Sequence, residues 1–143
     1  MLSELRALML YRYGMAVPVT IDPTVKIRVG LVDDDVSVRR AVSRLLRIHG
    51  YSCSSYESAE AALEDPEFLQ MNCIIVDVQL GGMNGFELGH RLDALQPRIP
   101  RIFITAHMSS DLPDHPEHSV LLTKPFDESQ LLALIESSTE NHC

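Results

Sequence analysis

Apolar runs alternate with amphipathic stretches along the chain from Lys26 onward. Short runs of β-branched and aliphatic residues predict five strands, at residues 26–33, 51–57, 72–78, 100–106 and 119–123. Apolar residues at helical spacing predict four helices, at residues 36–50, 59–65, 85–95 and 128–138. Strands and helices therefore alternate along the chain, and an irregular region separates the fourth strand from the fifth.

This alternation predicts the fold class. Strands that alternate with helices indicate parallel strands joined by right-handed crossovers. We therefore predict an α/β fold with a doubly wound, five-stranded parallel sheet. Residues 26–138 would form this domain, residues 1–25 an N-terminal extension or linker, and residues 139–143 a tail.

Composition narrows the class of protein. A hydrophobic fraction of 45% with 22% charged residues is typical of a globular domain, and no apolar run approaches the roughly 20 residues of a membrane span. The net charge of -8 disfavours nucleic-acid binding, because phosphate backbones are bound mainly by clustered Lys and Arg. Three cysteines without paired spacing and the lack of a signal-peptide pattern favour the cytoplasm. We thus expect neither a nucleic-acid nor a membrane partner.

Polar side chains follow the predicted strands at the positions where ligands bind in such sheets. In doubly wound folds, ligands collect at the carboxyl ends of the parallel strands. The residues predicted at those ends are Asp33, Asp34, Asp35, Asp77, Thr105 and Lys124. Clustered carboxylates repel one another unless a divalent cation offsets their charge, and hard oxygen ligands suit Mg²⁺. Together with a Lys and a hydroxyl, they support phosphoryl transfer to an aspartate.

Each of these groups also has an ordinary structural explanation. Residues 33–35 could form only an N-cap cluster for the first helix, and Asp77 could be a turn acid. Thr105 could be a plain strand residue, and Lys124 could begin a loop. The coincidence of all four at predicted strand ends favours the functional interpretation.

The sequence resembles the receiver domain of two-component response regulators. The matching segments are "LVDDD", "IIVDVQLGGMNG" around Asp77, "IFITA" around Thr105 and "TKPF" around Lys124, in this order. The resemblance implies a flavodoxin-like sheet with strand order 2-1-3-4-5. It also implies that Asp77 accepts a phosphoryl group from a histidine kinase or a histidine phosphotransfer protein.

The resemblance further implies a role for each site residue. Asp34 would bind Mg²⁺ directly and Asp33 through water, while Asp77 and the backbone carbonyl of Gln79 would complete the protein ligands. Thr105 and Lys124 would contact the phosphoryl group, and the peptide bond before Pro125 would be cis. The domain would signal to an unknown target by protein contact, and beyond slow self-dephosphorylation it would not be an enzyme.

Three departures from the family pattern affect these expectations. Gly81 stands where the family commonly has proline, which should loosen the loop after Asp77. Leu121 replaces the aromatic residue that often rotates on activation. Pro113 and Pro116 interrupt the short segment 107–118, so we predict that the family's fourth helix is shortened or missing and that output is unconventional.

Two alternative functions remain open. The segment "LVDDDVS" also resembles the first motif of haloacid-dehalogenase-type phosphatases, with Asp33 as nucleophile and Asp35 as general acid. A degenerate receiver that binds partners without phosphorylation is the second alternative. Since the sequence stops soon after the last helix, we expect a single-domain regulator in either receiver case.

Overall fold

A computed structural model describes residues 26–106 and 119–140. Its elements are β1 (Arg28–Val32), α1 (Val36–Ile48), β2 (Ser52–Tyr56), α2 (Ala59–Glu64), a 3-10 helix (Pro66–Gln70), β3 (Cys73–Asp77), α3 (Gly85–Leu95), β4 (Arg101–Thr105), β5 (Ser119–Thr123) and α4 (Glu128–Glu140). The predicted N-terminal extension and the predicted loss of a helix in segment 107–118 lie outside the described residues. None of the helices in the described ranges is long and apolar enough to cross a membrane.

The strands form one parallel sheet in the order β2-β1-β3-β4-β5. One face packs against α1 and α4, through a cluster that includes Leu46 and Leu131. The other face packs against α2 and α3, through a cluster that includes Ala62 and Leu92. The sheet is therefore doubly wound, as predicted, and both the fold class and the strand order are confirmed.

The two central strands, β3 and β4, are the most deeply buried part of the sheet. All five residues of β3 and all five of β4 are buried, because helices cover both faces of these strands. Continuous apolar runs such as "CIIV" belong in this environment, since every side chain faces a packed layer. At their carboxyl ends the two strands carry the polar residues Asp77 and Thr105.

Helix α1 begins and ends as its sequence indicates. The Asp35 carboxylate accepts hydrogen bonds from the backbone N–H groups of Ser37, at 2.8 Å, and Val38, at 3.4 Å. These bonds satisfy donors that the first turn leaves without partners. Gly50 follows the helix with φ +88°, a left-handed conformation that suits glycine after a helix end. The helix therefore starts directly behind the acidic end of β1.

The segment after α2 differs from the prediction. The sequence pattern predicts only a helix at residues 59–65, but Pro66 opens a further 3-10 helix, with the Asp65 side chain accepting from the Glu67 backbone N–H at 3.0 Å. Proline is tolerated there because the first N–H of a helix has no internal partner. Phe68 is fully buried and contacts the Tyr56 ring edge-on, at 5.2 Å between centroids. Burial of this ring, which the local pattern does not reveal, accounts for the extra turn.

A buried charge lies at the opposite end of the sheet from the acidic residues. The Arg101 side chain is fully buried at the start of β4, where it pairs with Asp93 of α3 and donates to the Gln96 carbonyl oxygen at 3.1 Å. Removing one partner of a buried pair leaves an uncompensated charge, which is strongly destabilising. The pair therefore fixes the C-terminal end of α3 to the sheet.

We expect Asp93→Ala to lower the free energy of unfolding by about 2 kcal/mol, a value reduced because the Asp93 side chain is 34% exposed. Urea denaturation followed by circular dichroism measures this loss. The matched control is Glu67→Ala, which breaks the exposed 2.7 Å pair with Arg28 and should cost less than about 0.5 kcal/mol. Equal losses in the two variants would contradict a structural role for the buried pair.

Candidate functional site

Three carboxylates meet at the carboxyl ends of β1 and β3. In the sheet Val32 pairs with Val76, so the next residues, Asp33 and Asp77, lie side by side. Carboxylate oxygens of Asp33, Asp34 and Asp77 all lie within 4.8 Å of one another. Asp33 and Asp77 are buried, whereas Asp34 is exposed. The register of the sheet thus creates the acidic cluster that the sequence predicted.

Asp33 is buried beside two other carboxylates. Its burial raises the pKa of the carboxyl group, and the nearby charges of Asp77 and Asp34 act in the same direction. A hydrogen bond from the Asp35 backbone N–H, at 2.9 Å, and the charge of Lys124 partly oppose the rise in pKa. A cation among these oxygens would relieve the repulsion, and an all-oxygen donor set is the type that Mg²⁺ prefers. The residues present therefore fit the metal that the sequence predicted.

Asp77 is the last residue of β3 and the centre of the site. Its Oδ1 accepts a hydrogen bond from the Gln79 backbone N–H at 2.9 Å. Its Oδ2 lies 3.5 Å from the Lys124 ammonium nitrogen, and 11% of its side chain is exposed. One oxygen is thus held by the loop and the other faces a cation, so the carboxylate has a fixed orientation with limited solvent access.

Neighbouring strands place Thr105 and Lys124 at the same edge of the sheet. Thr105 ends β4 and is buried, and it pairs with Thr123 at the end of β5. The Lys124 backbone N–H then donates to the Thr105 carbonyl oxygen at 2.8 Å. The Lys124–Pro125 peptide bond is cis, as expected. The backbone thereby places all the predicted groups at one edge, with Thr105 on the strand next to Asp77.

The three consecutive aspartates lie in two different environments. Asp35 is the N-cap of α1, so the ordinary explanation is correct for this residue. Asp33 instead belongs to the buried cluster, and Asp34 is its exposed member. Since the Asp35 carboxylate is engaged by two backbone N–H groups, it is poorly placed to act as a general acid. The phosphatase alternative, which needs that acid, is not favoured.

Two residues that support the site were not recognised from the sequence. A Cβ at Gly85 would lie 2.5 Å from the Asp77 carbonyl oxygen and 2.9 Å from the Val78 Cα, so only glycine allows α3 to begin this close to β3. A glycine at the first position of a helix, directly after the cap Asn84, is a signal that could have indicated this close contact. Glu60 of α2 contacts the loop between β3 and α3, where its side chain accepts a hydrogen bond from the Met83 backbone N–H. Nothing in the sequence around Glu60 indicates this contact.

Leu121, the residue that replaces the usual aromatic, is partly buried. It lies in β5 opposite Phe103 of β4 and packs against the cluster formed by α2, α3 and the sheet. The Leu121 side chain therefore makes apolar contacts at the edge of the core. Its effect on output stays a prediction.

The chain resembles known proteins in both sequence and fold. The sequence profile of the response regulator receiver domain matches residues 29–136. The chain is 32% identical over 120 residues to the transcriptional regulatory protein FixJ of Bradyrhizobium diazoefficiens, covering 80% of this chain and 58% of that protein. It is 35% identical to response regulator StyR, with a TM-score of 0.70 and coverage of 81% of this chain and 60% of that chain.

A more distant likeness supports the fold alone. A CheY-like receiver domain protein from Methanospirillum hungatei has a TM-score of 0.70 at 22% identity, covering 82% of this chain and 96% of that chain. The chain spans about half the length of the curated relatives that it matches. The profile match covers most of the chain, and the acids, the threonine and the lysine stand where the receiver motifs predicted them. The chain therefore belongs to the response regulator receiver domain family.

Proposed function

We propose that the chain is phosphorylated on Asp77 and passes the signal on by protein contact. The observation that carries this proposal is the environment of the Asp77 carboxylate. It ends a fully buried strand, its Oδ2 lies 3.5 Å from the Lys124 ammonium group, and two further carboxylates lie beside it. This arrangement supports a nucleophilic carboxylate with a cation ready to bind phosphoryl oxygens.

The transfer step follows from these groups. A carboxylate oxygen of Asp77 attacks phosphorus, and the bond between phosphorus and the donor's histidine nitrogen breaks. The nitrogen keeps the electron pair, and an acyl phosphate forms on Asp77. Lys124 then binds a phosphoryl oxygen, while the hydroxyl of Thr105 donates a hydrogen bond to another. Hydrolysis by water releases inorganic phosphate and restores the carboxylate.

Mg²⁺ would be held by Asp34 and Asp77, by Asp33 through water, and by the Gln79 carbonyl oxygen. When bound, it neutralises charge on the transferring phosphoryl group. The three carboxylates, already within 4.8 Å of one another, supply the oxygen donors. The protein residues would thus orient the nucleophilic carboxylate and bind both the metal ion and the phosphoryl group. We propose no catalytic activity beyond slow self-dephosphorylation.

A basic groove beside the site is suited to the phosphoryl donor. Residues of α1 and β2 line a cavity of about 320 Å³: Val36, Arg39, Arg40, Ser43, Arg47 and Ser55. Arg39 also donates to the Asp33 carbonyl oxygen at 2.7 Å, which links the groove to the acidic cluster. In a chain with a net charge of -8, this local positive charge favours an acidic surface on a histidine kinase or phosphotransfer protein.

The names and lengths of the curated relatives bear on the downstream partner. The curated relatives include proteins named as transcriptional regulators, and the chain spans little more than half of their length. The expectation that the protein has no nucleic-acid partner therefore stays a prediction. Its expected location in the cytoplasm stays a prediction as well. The degenerate-receiver alternative is less well supported, because the acidic cluster, Thr105 and Lys124 are all in place.

Incubation with acetyl phosphate and Mg²⁺, followed by intact mass spectrometry, tests the proposal. The protein should gain the mass of one phosphoryl group, and EDTA should prevent the gain. A protein that stays unmodified, and also binds no beryllofluoride, would overturn the phosphoacceptor function and favour the degenerate-receiver alternative.

We expect Asp34→Asn to weaken Mg²⁺ binding by at least about 10-fold, because a direct anionic ligand is lost. Isothermal titration calorimetry with Mg²⁺ measures the change. Asp35→Asn is the matched control, since Asn caps helices as well as Asp and this side chain serves only α1. Equal weakening in both variants would show that the metal does not distinguish the two adjacent acids.

A further inference from the structure

The loop between β3 and α3, residues 78–84, is anchored at both ends by backbone hydrogen bonds. At its start the Val78 N–H donates to the Ile104 carbonyl oxygen at 2.9 Å. At its end the Gly85 N–H donates to the Val78 carbonyl oxygen at 3.0 Å. Between these anchors lie Gly81 and Gly82, so the middle of the loop consists of the most flexible residue type.

The Glu60 side chain of α2 holds the C-terminal part of this loop. Its Oε1 accepts a hydrogen bond from the Met83 backbone N–H at 2.8 Å, across 23 residues of sequence. This bond is the largest cause of the lowered pKa of Glu60. A carboxylate that accepts from a backbone N–H makes a charge-assisted bond, which is stronger than a neutral one. The second helix is thereby joined to the loop that follows the phosphoacceptor strand.

The backbone of the loop fits this contact. Gly82 has φ +77°, and a Cβ there would lie 3.0 Å from Glu60 Oε1. A side chain at this position would therefore be strained and would push the glutamate away. A Cβ at Gly81, by contrast, would meet nothing within 4 Å. Glycine at position 82 thus leaves room for Glu60, whereas glycine at position 81 has no such contact and only adds backbone freedom.

We propose that Glu60 is a positioning residue for the metal and phosphoryl site. By fixing the Met83 N–H, it restricts the Gly81–Gly82 turn and so the segment that begins at Gln79, whose N–H binds Asp77 Oδ1. In this chain Glu60 takes over the restraint that proline at position 81 would give. The proposal rests on the proposed function, because the segment matters only if Gln79 and Asp77 hold Mg²⁺ and the phosphoryl group.

Mg²⁺ titration of ¹⁵N-labelled protein by NMR, with Glu60→Ala, Glu60→Gln and Glu64→Ala, tests the proposal. Glu60→Ala should weaken Mg²⁺ binding roughly 3- to 10-fold, in line with groups that orient metal ligands. The Met83 amide resonance should shift at the same time and exchange faster with solvent. Glu60→Gln keeps an oxygen acceptor and should restore most of the affinity. Glu64→Ala removes an exposed carboxylate from the same helix and should resemble the wild type.

The outcomes separate this inference from the proposed function. If the wild type binds no Mg²⁺ and gains no phosphoryl group, the proposed function fails and the inference falls with it. If the wild type does both but Glu60→Ala binds Mg²⁺ like Glu64→Ala, only the inference is overturned. A Met83 amide that shifts without any change in Mg²⁺ affinity would overturn it too, because Glu60 would then hold the loop without positioning the site.

Discussion

Asp77→Asn is expected to abolish phosphorylation by acetyl phosphate, with a loss in labelling rate of at least about 1,000-fold. The amide lacks the negative charge and the nucleophilic oxygen needed to attack phosphorus. The fold should survive, because an Asn side-chain oxygen can still accept the Gln79 N–H that now binds Asp77 Oδ1. Intact mass spectrometry after incubation with Mg²⁺ measures the label, and circular dichroism checks the fold.

Asp33→Asn is the informative partner of this variant. For a receiver, it should leave a phosphoryl acceptor in place and lower the labelling rate through weaker Mg²⁺ binding. For a phosphatase of the haloacid-dehalogenase type, the opposite pattern is expected, since Asp33 would then form the covalent intermediate. Label that survives in Asp77→Asn but disappears in Asp33→Asn would therefore contradict our assignment of the nucleophile.

Gly85→Ala is expected to lower the free energy of unfolding by about 3 kcal/mol. The new Cβ would lie 2.5 Å from the carbonyl oxygen of Asp77, and backbone cannot move aside as a flexible side chain can. The start of α3 must therefore move away from the end of β3. Because the clash involves Asp77 itself, labelling by acetyl phosphate should also slow, even where the variant is fully folded.

Gly81→Ala provides the matched control in the same loop. A Cβ at this position meets nothing within 4 Å, and the backbone does not adopt positive φ. We expect the free energy of unfolding to stay unchanged or to rise by about 0.5 kcal/mol, because alanine restricts the unfolded chain. Urea denaturation of both variants gives the comparison. Similar losses at the two positions would show that general loop sensitivity, and not the contact with Asp77, causes the effect.

The periodic features of this fold could be predicted from the sequence. Buried strands such as β3 give continuous apolar runs, and caps such as Asp35 have a local chemical cause, so their positions follow from short-range rules. The acids, Thr105 and Lys124 could be brought together in advance because parallel strands end at one edge of the sheet. The site was thus predictable where local pattern and topology determine it.

The features that the sequence did not reveal depend on contacts between distant segments. Phe68 packs in one cluster with residues of α2 and contacts the Tyr56 ring, and the 3-10 helix brings it there. Glu60 is an ordinary exposed acid until the loop after β3 is placed beside it. Arg101 would be read as an exposed strand end unless Asp93 is known to face it. Such residues become visible only when the tertiary structure is known.

The burial of β3 has a consequence for how the protein moves. A strand that is buried along its whole length and paired on both sides opens only when the domain unfolds as a whole, whereas a loop held by a few hydrogen bonds can open locally. Asp77 lies where the buried strand ends and the loop begins. A chemical change at its carboxylate therefore meets a stiff backbone on one side and adaptable segments on the other. We therefore expect structural responses to such a change in the loops at the edge of the sheet, with the packing of the core unchanged.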